Sequence, residues 1–179
     1  MRANARGVLY GSYFDRALAQ AAHEAGIGAD ITAVFNSAGE TEFAKRFEVQ
    51  ARVISLTDGE CTGQRGIYAG RAMHLGPCAA LQIGGPGGIT VCVISSRYQT
   101  ADRVFFEQFD VDISTARTVC VKSRGHFRAG FDLWFSPEQV LEIDTAGLTS
   151  PVLERFNWTG LPRPVYPLDE DAKWVPPEW

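Results

Sequence analysis

The hydrophobic positions of this chain fall into short runs that predict strands, with helical segments between some of them. Apolar and aromatic residues form strand-length runs at 8–14 and 30–35. Between these runs, residues 16–25 are rich in alanine, Asp15 is placed to cap the start of a helix, and Gly26 is placed to end it. A strand, a helix and a second strand in so short a span predict an α/β unit.

The middle of the chain predicts antiparallel strands. Residues 47–57 alternate between apolar and polar positions and run into a turn. Apolar runs at 78–83 and 89–95 flank the glycine-rich segment 84–88, so we expect a hairpin. A phosphate-binding loop is not predicted there, because the Gly-Lys-Ser/Thr ending is absent and no helix follows. This antiparallel meander is expected to be inset between α/β flanks.

Helical character returns near residue 100. Thr100 is a candidate N-cap for a helix that carries Phe105, Phe106 and Phe109 on one side. The apolar run at 118–121 predicts another short strand. We therefore expect a second α/β flank after the meander.

The last third of the chain is less regular. A helix is predicted within 126–134, whereas 140–143 is compatible with a strand and 136–138 with a helix cap, and these alternatives stay open. Six of the nine prolines lie beyond residue 150, where their density blocks regular structure. We expect a mixed α/β (α+β) domain over 1–150, with a mixed sheet and flanking helices, and an extended tail over 151–179 packed on it.

Charge and cysteine content narrow the function classes. The net charge is −4, a mildly acidic balance that gives no reason to expect a nucleic acid or an anionic membrane as partner. The apolar runs are far shorter than a membrane span, and the N-terminus lacks the pattern of a secretory signal. The four cysteines form no CxxC pair, so we expect reduced thiols and a cytoplasmic protein.

Two polar clusters follow predicted strands. The first is Lys122-Ser123-Arg124-Gly125-His126-Phe127-Arg128, whose cations suit a carboxylate and whose His126 suits proton transfer or donation to an oxyanion. The second contains Arg97 and Gln99, which are candidate ligand contacts. The alternatives stay open for both: a solvated basic loop for the first, and a structural connection with Arg97 paired to an acid for the second.

Hydrolase motifs that are complete within one segment are absent from the sequence. There is no HExxH, and His23, His74 and His126 are far apart along the chain, so a self-contained zinc site with three converging ligands is not predicted. There is no Gly-x-Ser-x-Gly elbow. Lys122 and Ser123, if both lay on a strand, would point to opposite faces. The sequence thus predicts no metal site and no cofactor in this chain.

Several segments nevertheless carry the pattern of one known family. These segments are Ser96-Arg97-Tyr98-Gln99 to Phe106, Val119 to Ser123 with His126 to Phe131, Glu142-Ile143-Asp144 with Gly147-Leu148-Thr149-Ser150, and Arg163-Pro164-Val165-Tyr166-Pro167-Leu168-Asp169. Gly26-Ile27-Gly28-Ala29 matches a further step of the pattern. Together they resemble the C-terminal domain of MlrC-like (microcystinase C) zinc metallopeptidases.

The resemblance implies a two-part enzyme. The N-terminal part of the family supplies carboxylate and histidine ligands to a zinc ion, and the type member takes part in microcystin degradation by hydrolysing a linearised toxin. On this resemblance we expect that part, and the glycine-rich segment that opens the family's C-terminal domain, to be missing from this chain, so no metal ligand is carried over. We expect the isolated chain to be inactive.

The resemblance leads to two functional hypotheses. In the first, the chain completes the substrate cleft of a zinc-dependent peptidase or amidohydrolase, with an N-terminal zinc-binding half or separate subunit as partner and a small peptide as substrate. In the second, it is a non-catalytic module that binds an acidic peptide or a small carboxylate. A third possibility is that the chain is a gene remnant without function. Whether it forms a homo-oligomer also stays open. The candidate residues are His126 and Arg128 for catalysis, and Lys122, Ser123, Arg97 and Gln99 for substrate binding.

Overall fold

The computed structural model describes residues 4–145 and 152–176. Two compact units make up the chain, Met1–Leu141 and Glu142–Trp179. The boundary predicted at residue 150 and the segment 147–150 lie outside the described residues. That domain division therefore stays a prediction.

The described residues of the first unit contain eight strands and three short to medium helices. The strands are β1 (Val8–Phe14), β2 (Asp30–Phe35), β3 (Phe47–Thr57), β4 (Glu60–Thr62), β5 (Ala72–His74), β6 (Cys78–Ile83), β7 (Ile89–Ile94) and β8 (Thr118–Val121). The helices are α1 (Arg16–Ala25), α2 (Val104–Glu107) and α3 (Phe127–Phe131), with 3-10 turns at Gly66–Tyr68, Ile113–Thr115 and Pro137–Gln139.

The main sheet has six strands in the order β2-β3-β6-β7-β1-β8. The pairs β2–β3, β3–β6 and β6–β7 are antiparallel, whereas β1 runs parallel to both β7 and β8. Strands β4 and β5 form a separate hairpin. The predicted mixed sheet, with an antiparallel segment inset between α/β flanks, is confirmed.

Both faces of this sheet are covered by apolar side chains. In β6, Ala79 and Leu81 belong to the core under α1, whereas Cys78 and Ala80 belong to the core on the opposite face. This alternation follows from the two-residue period of a strand. The second core also contains buried aromatic residues from α2, α3 and their flanks, namely Phe105, Phe106, Phe109, Phe127 and Phe131.

Helix α1 begins and ends where its sequence predicts. The Asp15 carboxylate accepts from the Leu18 backbone N–H at 3.0 Å, which caps the first turn. The helix ends at Gly26, whose φ of 84° suits glycine and whose N–H donates to the Ala22 carbonyl. Local signals were sufficient here because the cap and the stop lie within a few residues of the helix itself.

The predicted role of Thr100 as a helix cap is wrong. Helix α2 begins at Val104. Thr100 is buried, and its hydroxyl accepts from the backbone N–H of Ser12 in β1. The N-cap position is Arg103, which makes no side-chain cap, and the first N–H of α2, that of Val104, donates to Oδ1 of the buried Asp102 at 3.1 Å. A contact between residues 88 positions apart therefore overrides the local signal.

Two further elements differ from their predictions. The helix expected within 126–134 is limited to α3. Residues 140–143 form no strand, so the alternative of a cap at Ser136 is the one realised: the Ser136 N–H donates to the Gln139 side chain at 2.9 Å at the start of a 3-10 turn. This turn spans Pro137–Gln139, with Val140 as its C-cap.

The second unit has little regular structure, as its proline content predicts. Its described residues contain one 3-10 turn, Leu153–Arg155. The segment from Arg163 to Asp169 closes on itself: Asp169 accepts from the Arg163 guanidinium and from the Val165 N–H at 2.6 Å. These hydrogen bonds lower the pKa of Asp169 to about 2. The packing predicted for the tail stays a prediction.

Candidate functional site

The carboxyl ends of three neighbouring parallel strands meet at one edge of the sheet. Phe14, at the end of β1, is in register with Ile94 of β7, and Gly11 is in register with Val121 of β8. The chain leaves β1 into α1 on one face, whereas it leaves β7 and β8 toward α2 and α3 on the other. Neighbouring strands whose connections diverge in this way open a crevice at their carboxyl ends, where α/β folds commonly bind ligands.

Gln99 joins the loops that follow β7 and β8. Its Oε1 accepts from the Ser123 hydroxyl at 3.2 Å and lies 3.2 Å from Nδ1 of His126. We refer to Gln99, Ser123 and His126 as the Gln99 junction. The amide oxygen is only an acceptor, so this contact assigns the proton to Nδ1 and leaves Nε2 as the acceptor of the neutral ring. His126 is exposed, so Nε2 is accessible from solvent.

The loop that carries Gln99 is held to the rest of the unit by neighbouring contacts. The Ala101 N–H donates to the Gln99 carbonyl at 2.9 Å. The Thr100 hydroxyl lies 3.0 Å from that of Ser12, and Asp102 Oδ2 accepts from the backbone of Gln64 and Arg65 at 2.6 and 2.8 Å. An exposed glutamine side chain thus projects from an anchored backbone. This arrangement reduces the entropy lost when a ligand binds.

Arg97 occupies the adjacent part of the edge. Its guanidinium carbon lies 4.3 Å from the ring centroid of Phe14, in cation–π contact. Within residues 4–145 and 152–176, Arg97 pairs with no carboxylate, so the acid-paired alternative is not realised there. The sequence reasoning missed Phe14, although an aromatic residue ending a strand was a usable signal.

Lys122 and Arg128 lie near the junction in sequence but are not part of its hydrogen bonds. Lys122 is exposed just after β8. Arg128 is exposed in the first turn of α3, with its guanidinium 5.2 Å from the Phe127 ring centroid. No hydrogen bond in the described part of the chain joins either residue to Gln99. The structure therefore brings together Gln99, Ser123 and His126 and places Arg97 in the adjacent loop. Lys122 and Arg128 lie on the exposed segments that flank this junction, which we refer to as its rim.

The segments that directly follow β7 and β8 carry only positive charge. Segments 95–99 and 122–128 contain Arg97, Lys122, Arg124 and Arg128 and no aspartate or glutamate. Clustered cations of this kind raise the local concentration of anions. The arrangement can bind a carboxylate through the cations and exchange a proton through His126 Nε2.

The described residues do not offer a zinc site. They contain no group of three or more histidine, cysteine, aspartate or glutamate side chains placed to hold a metal. The histidines lie in separate contacts: His23 with the Cys78 carbonyl, His74 with Glu60, and His126 with Gln99. Zinc sites need convergent ligands, so these donor sets do not fit that ion.

The four cysteines are free, and burial raises the pKa of each thiol. For Cys78 the pKa rises to about 11. A nucleophilic or metal-binding cysteine needs its thiolate form, which these environments disfavour. Among residues 4–145 and 152–176, none of the helices has the length and hydropathy that a membrane span requires.

Comparison with known proteins agrees with this architecture. The crystal structure of a "Putative metallopeptidase" from Mesorhizobium sp. BNC1 is similar, with a TM-score of 0.72 and 25% sequence identity over 95% of this chain. The match spans only 33% of that longer protein. No curated protein matches the chain.

The family comparison covers most of the sequence. The family model described as MlrC C-terminus matches residues 1–160. This match includes both loops of the Gln99 junction and every strand of the main sheet. The chain therefore belongs to the family of the MlrC C-terminus.

Proposed function

We propose that this chain completes the substrate cleft of a zinc-dependent peptidase whose metal is bound by another part of the protein or by another subunit. Its family and the longer metallopeptidase-like relative support a peptidase-associated domain. The observation that carries the finer proposal is the Gln99 junction, which presents His126 Nε2 at the carboxyl edge of the parallel strands.

In this proposal His126 acts on the peptide through Nε2. The Gln99 oxygen accepts from Nδ1, so it favours the ring tautomer in which Nε2 is the acceptor. The neutral ring takes a proton at Nε2, and the protonated ring donates from Nε2 to a substrate oxygen as negative charge develops there. In a complete enzyme, the metal-binding part would hold the zinc ion, which would supply Lewis-acid polarisation of the substrate carbonyl.

Arg97 is the proposed contact for a substrate carboxylate. A guanidinium offers two parallel donors to a carboxylate, and the ring of Phe14 restricts the positions that this side chain adopts. Lys122 and Arg128 add to the positive potential at the rim. The substrate class that these charges favour is a small peptide with a free carboxylate.

We propose that the metal-binding part docks on β1, on the face of the sheet that α1 covers only over the neighbouring strands. Helix α1 packs on β2, β3, β6 and β7. Tyr10 is in register with Val91, which faces α1, yet Tyr10 is 39% exposed. Parallel strands are normally covered on both faces, so this strip lacks a layer within the described residues of the first unit. The relative is about three times as long as the matched region, so chain outside the match is available to supply that layer.

The proposal is tested by reconstituting hydrolysis with the metal-binding part, supplied in trans or fused from a close relative. We expect His126→Ala to lower kcat by about a hundredfold, the scale of losing one transition-state donor. His74→Ala is the matched control, because His74 is also exposed and also contacts a single side chain, Glu60, but on the β4–β5 hairpin.

The control variant should retain the activity of the unchanged chain, and both variants should melt at its temperature. Equal activity of the two variants would show that His126 has no part in turnover. A loss of folding in His126→Ala, with normal activity per folded molecule, would make the junction structural.

The second hypothesis, a non-catalytic module for a small carboxylate, is favoured by the positive charge of the two segments that directly follow β7 and β8. It is distinguished by the same reconstitution. Binding that persists with a chelator, together with turnover that no junction variant affects, would favour this hypothesis over the peptidase.

A further inference from the structure

A cavity of about 330 Å³ lies at the same edge of the sheet, on the side covered by α1. Its lining comes from the exposed side of α1, from the turn before β6 and from the residues that follow β7. These residues are Arg16, Gln20, His23, Gly76, Pro77, Ser95 and Ser96. The Gln99 junction instead lies beside β8 and α3, so the cavity is a separate feature.

Most polar groups of the lining are already satisfied within the unit. The Ser95 hydroxyl donates to the Pro77 carbonyl at 2.5 Å, and the Gln20 amide donates to Glu24 at 2.9 Å. His23 Nε2 lies 2.9 Å from the Cys78 carbonyl. A carbonyl only accepts, so that nitrogen carries a proton, and Nδ1 of the neutral ring is an acceptor.

Arg16 and Ser96 are the lining side chains with donors to spare. Neither makes a side-chain hydrogen bond or an ion pair with any residue in 4–145 or 152–176. No carboxylate belongs to the lining. The two acidic residues at the ends of α1 have other partners: Asp15 accepts from the Leu18 N–H, and Glu24 accepts from Gln20. Gly76 and Pro77 provide an apolar wall.

We propose that this cavity binds a small aliphatic carboxylate. The Arg16 guanidinium takes the carboxylate through its paired donors, the Ser96 hydroxyl adds a third, and the apolar part of the ligand lies against Pro77. The cavity is at the small end of the usual range for ligand sites, which limits the ligand to a single amino-acid-sized group. The proposal does not depend on the peptidase function, since it needs neither metal nor His126.

The test is an NMR titration of the ¹⁵N-labelled chain with N-acetyl-leucine and, separately, with N-acetyl-leucinamide. The two probes differ only in the carboxylate. We expect N-acetyl-leucine to shift the amide resonances of Arg16, His23 and Ser96 in a saturable way, and the amide probe to leave them unchanged. Arg16→Gln should weaken the binding by about tenfold or more, the effect of losing a charge-assisted pair.

Arg71→Gln is the charge-matched control, because it removes one cation beside the β4–β5 hairpin while leaving the cavity intact. If Arg16→Gln lowers the melting temperature, Arg16→Lys, which keeps the charge, replaces it in the titration. It should bind more weakly than the unchanged chain, since an ammonium lacks the paired donors.

Three results would overturn the proposal: equal shifts with both leucine probes, equal weakening by Arg71→Gln, or the same shifts with inorganic phosphate. The last would mean general anion attraction. His126→Ala should leave the titration unchanged, so failure here is distinguishable from failure of the peptidase proposal.

Discussion

Replacing Asp102 with alanine removes the acceptor of three backbone N–H groups and is expected to destabilise the first unit strongly. Asp102 has no exposed surface. Its carboxylate accepts from Gln64, Arg65 and Val104 at 2.6, 2.8 and 3.1 Å. These contacts tie the loop after β4 to the start of α2, close to the backbone that carries Gln99.

The magnitude follows from the number of donors lost. A hydrogen bond to a charged acceptor contributes about 1.5 kcal/mol or more, and a buried donor without a partner adds a desolvation cost. Some donors will regain water once the side chain is removed, so the sum is below three full penalties. We expect the free energy of unfolding to fall by about 4 kcal/mol, a large fraction of the stability of an ordinary domain.

The assay is urea unfolding followed by circular dichroism, with the slope of the transition checked for two-state behaviour. Asp112→Ala is the control, because Asp112 also caps a turn through the Ser114 N–H at 2.8 Å but is exposed. Its midpoint should shift far less. A change below about 1 kcal/mol for Asp102→Ala would refute the reasoning, because that is the scale of an ordinary surface substitution.

Two further predictions follow from close contacts and from charge. Gly130→Ala is expected to destabilise the first unit by about 2 kcal/mol, because its Cβ would lie 2.2 Å from the Ala101 carbonyl oxygen, whereas Gly125→Ala, which meets nothing within 4 Å, should melt like the unchanged chain. The folded pKa of Asp169 is lowered to about 2, so its contribution is present above the ordinary carboxyl pKa near 4 and is lost as the pH falls toward 2. Thermal melts of the chain between pH 2 and pH 5 should report that loss, and Asp169→Asn should remove this part of the pH dependence. An unchanged pH profile in this variant would contradict the assignment.

The parts of the fold that depend on neighbouring residues could be predicted from the sequence. The cap at Asp15, the stop at Gly26 and the hairpin around 84–88 are local signals, and the structure confirms each of them. The strand order could not be derived in the same way. The position of β1 between β7 and β8 depends on pairing between segments about 80 to 110 residues apart, for which no local pattern is specific.

The candidate site shows the same division. The sequence placed polar residues after two strands, and the parallel pairing brings Gln99, Ser123 and His126 into contact. It did not reveal that Phe14 holds Arg97, because that contact crosses from β1 to the loop after β7. The sequence also did not reveal that the Thr100 hydroxyl bonds to β1 and does not cap a helix, because its partner is the distant backbone N–H of Ser12.

A double-mutant cycle on turnover of the reconstituted enzyme tests the central claim most directly. If Gln99 acts by holding His126 in one tautomer, Gln99→Leu lowers kcat, and adding it to His126→Ala causes no further loss. Ser123→Ala should have a smaller effect, because it leaves the Gln99–His126 contact in place. Fully additive losses, or a kcat that Gln99→Leu does not change, would contradict a catalytic role for the Gln99 junction.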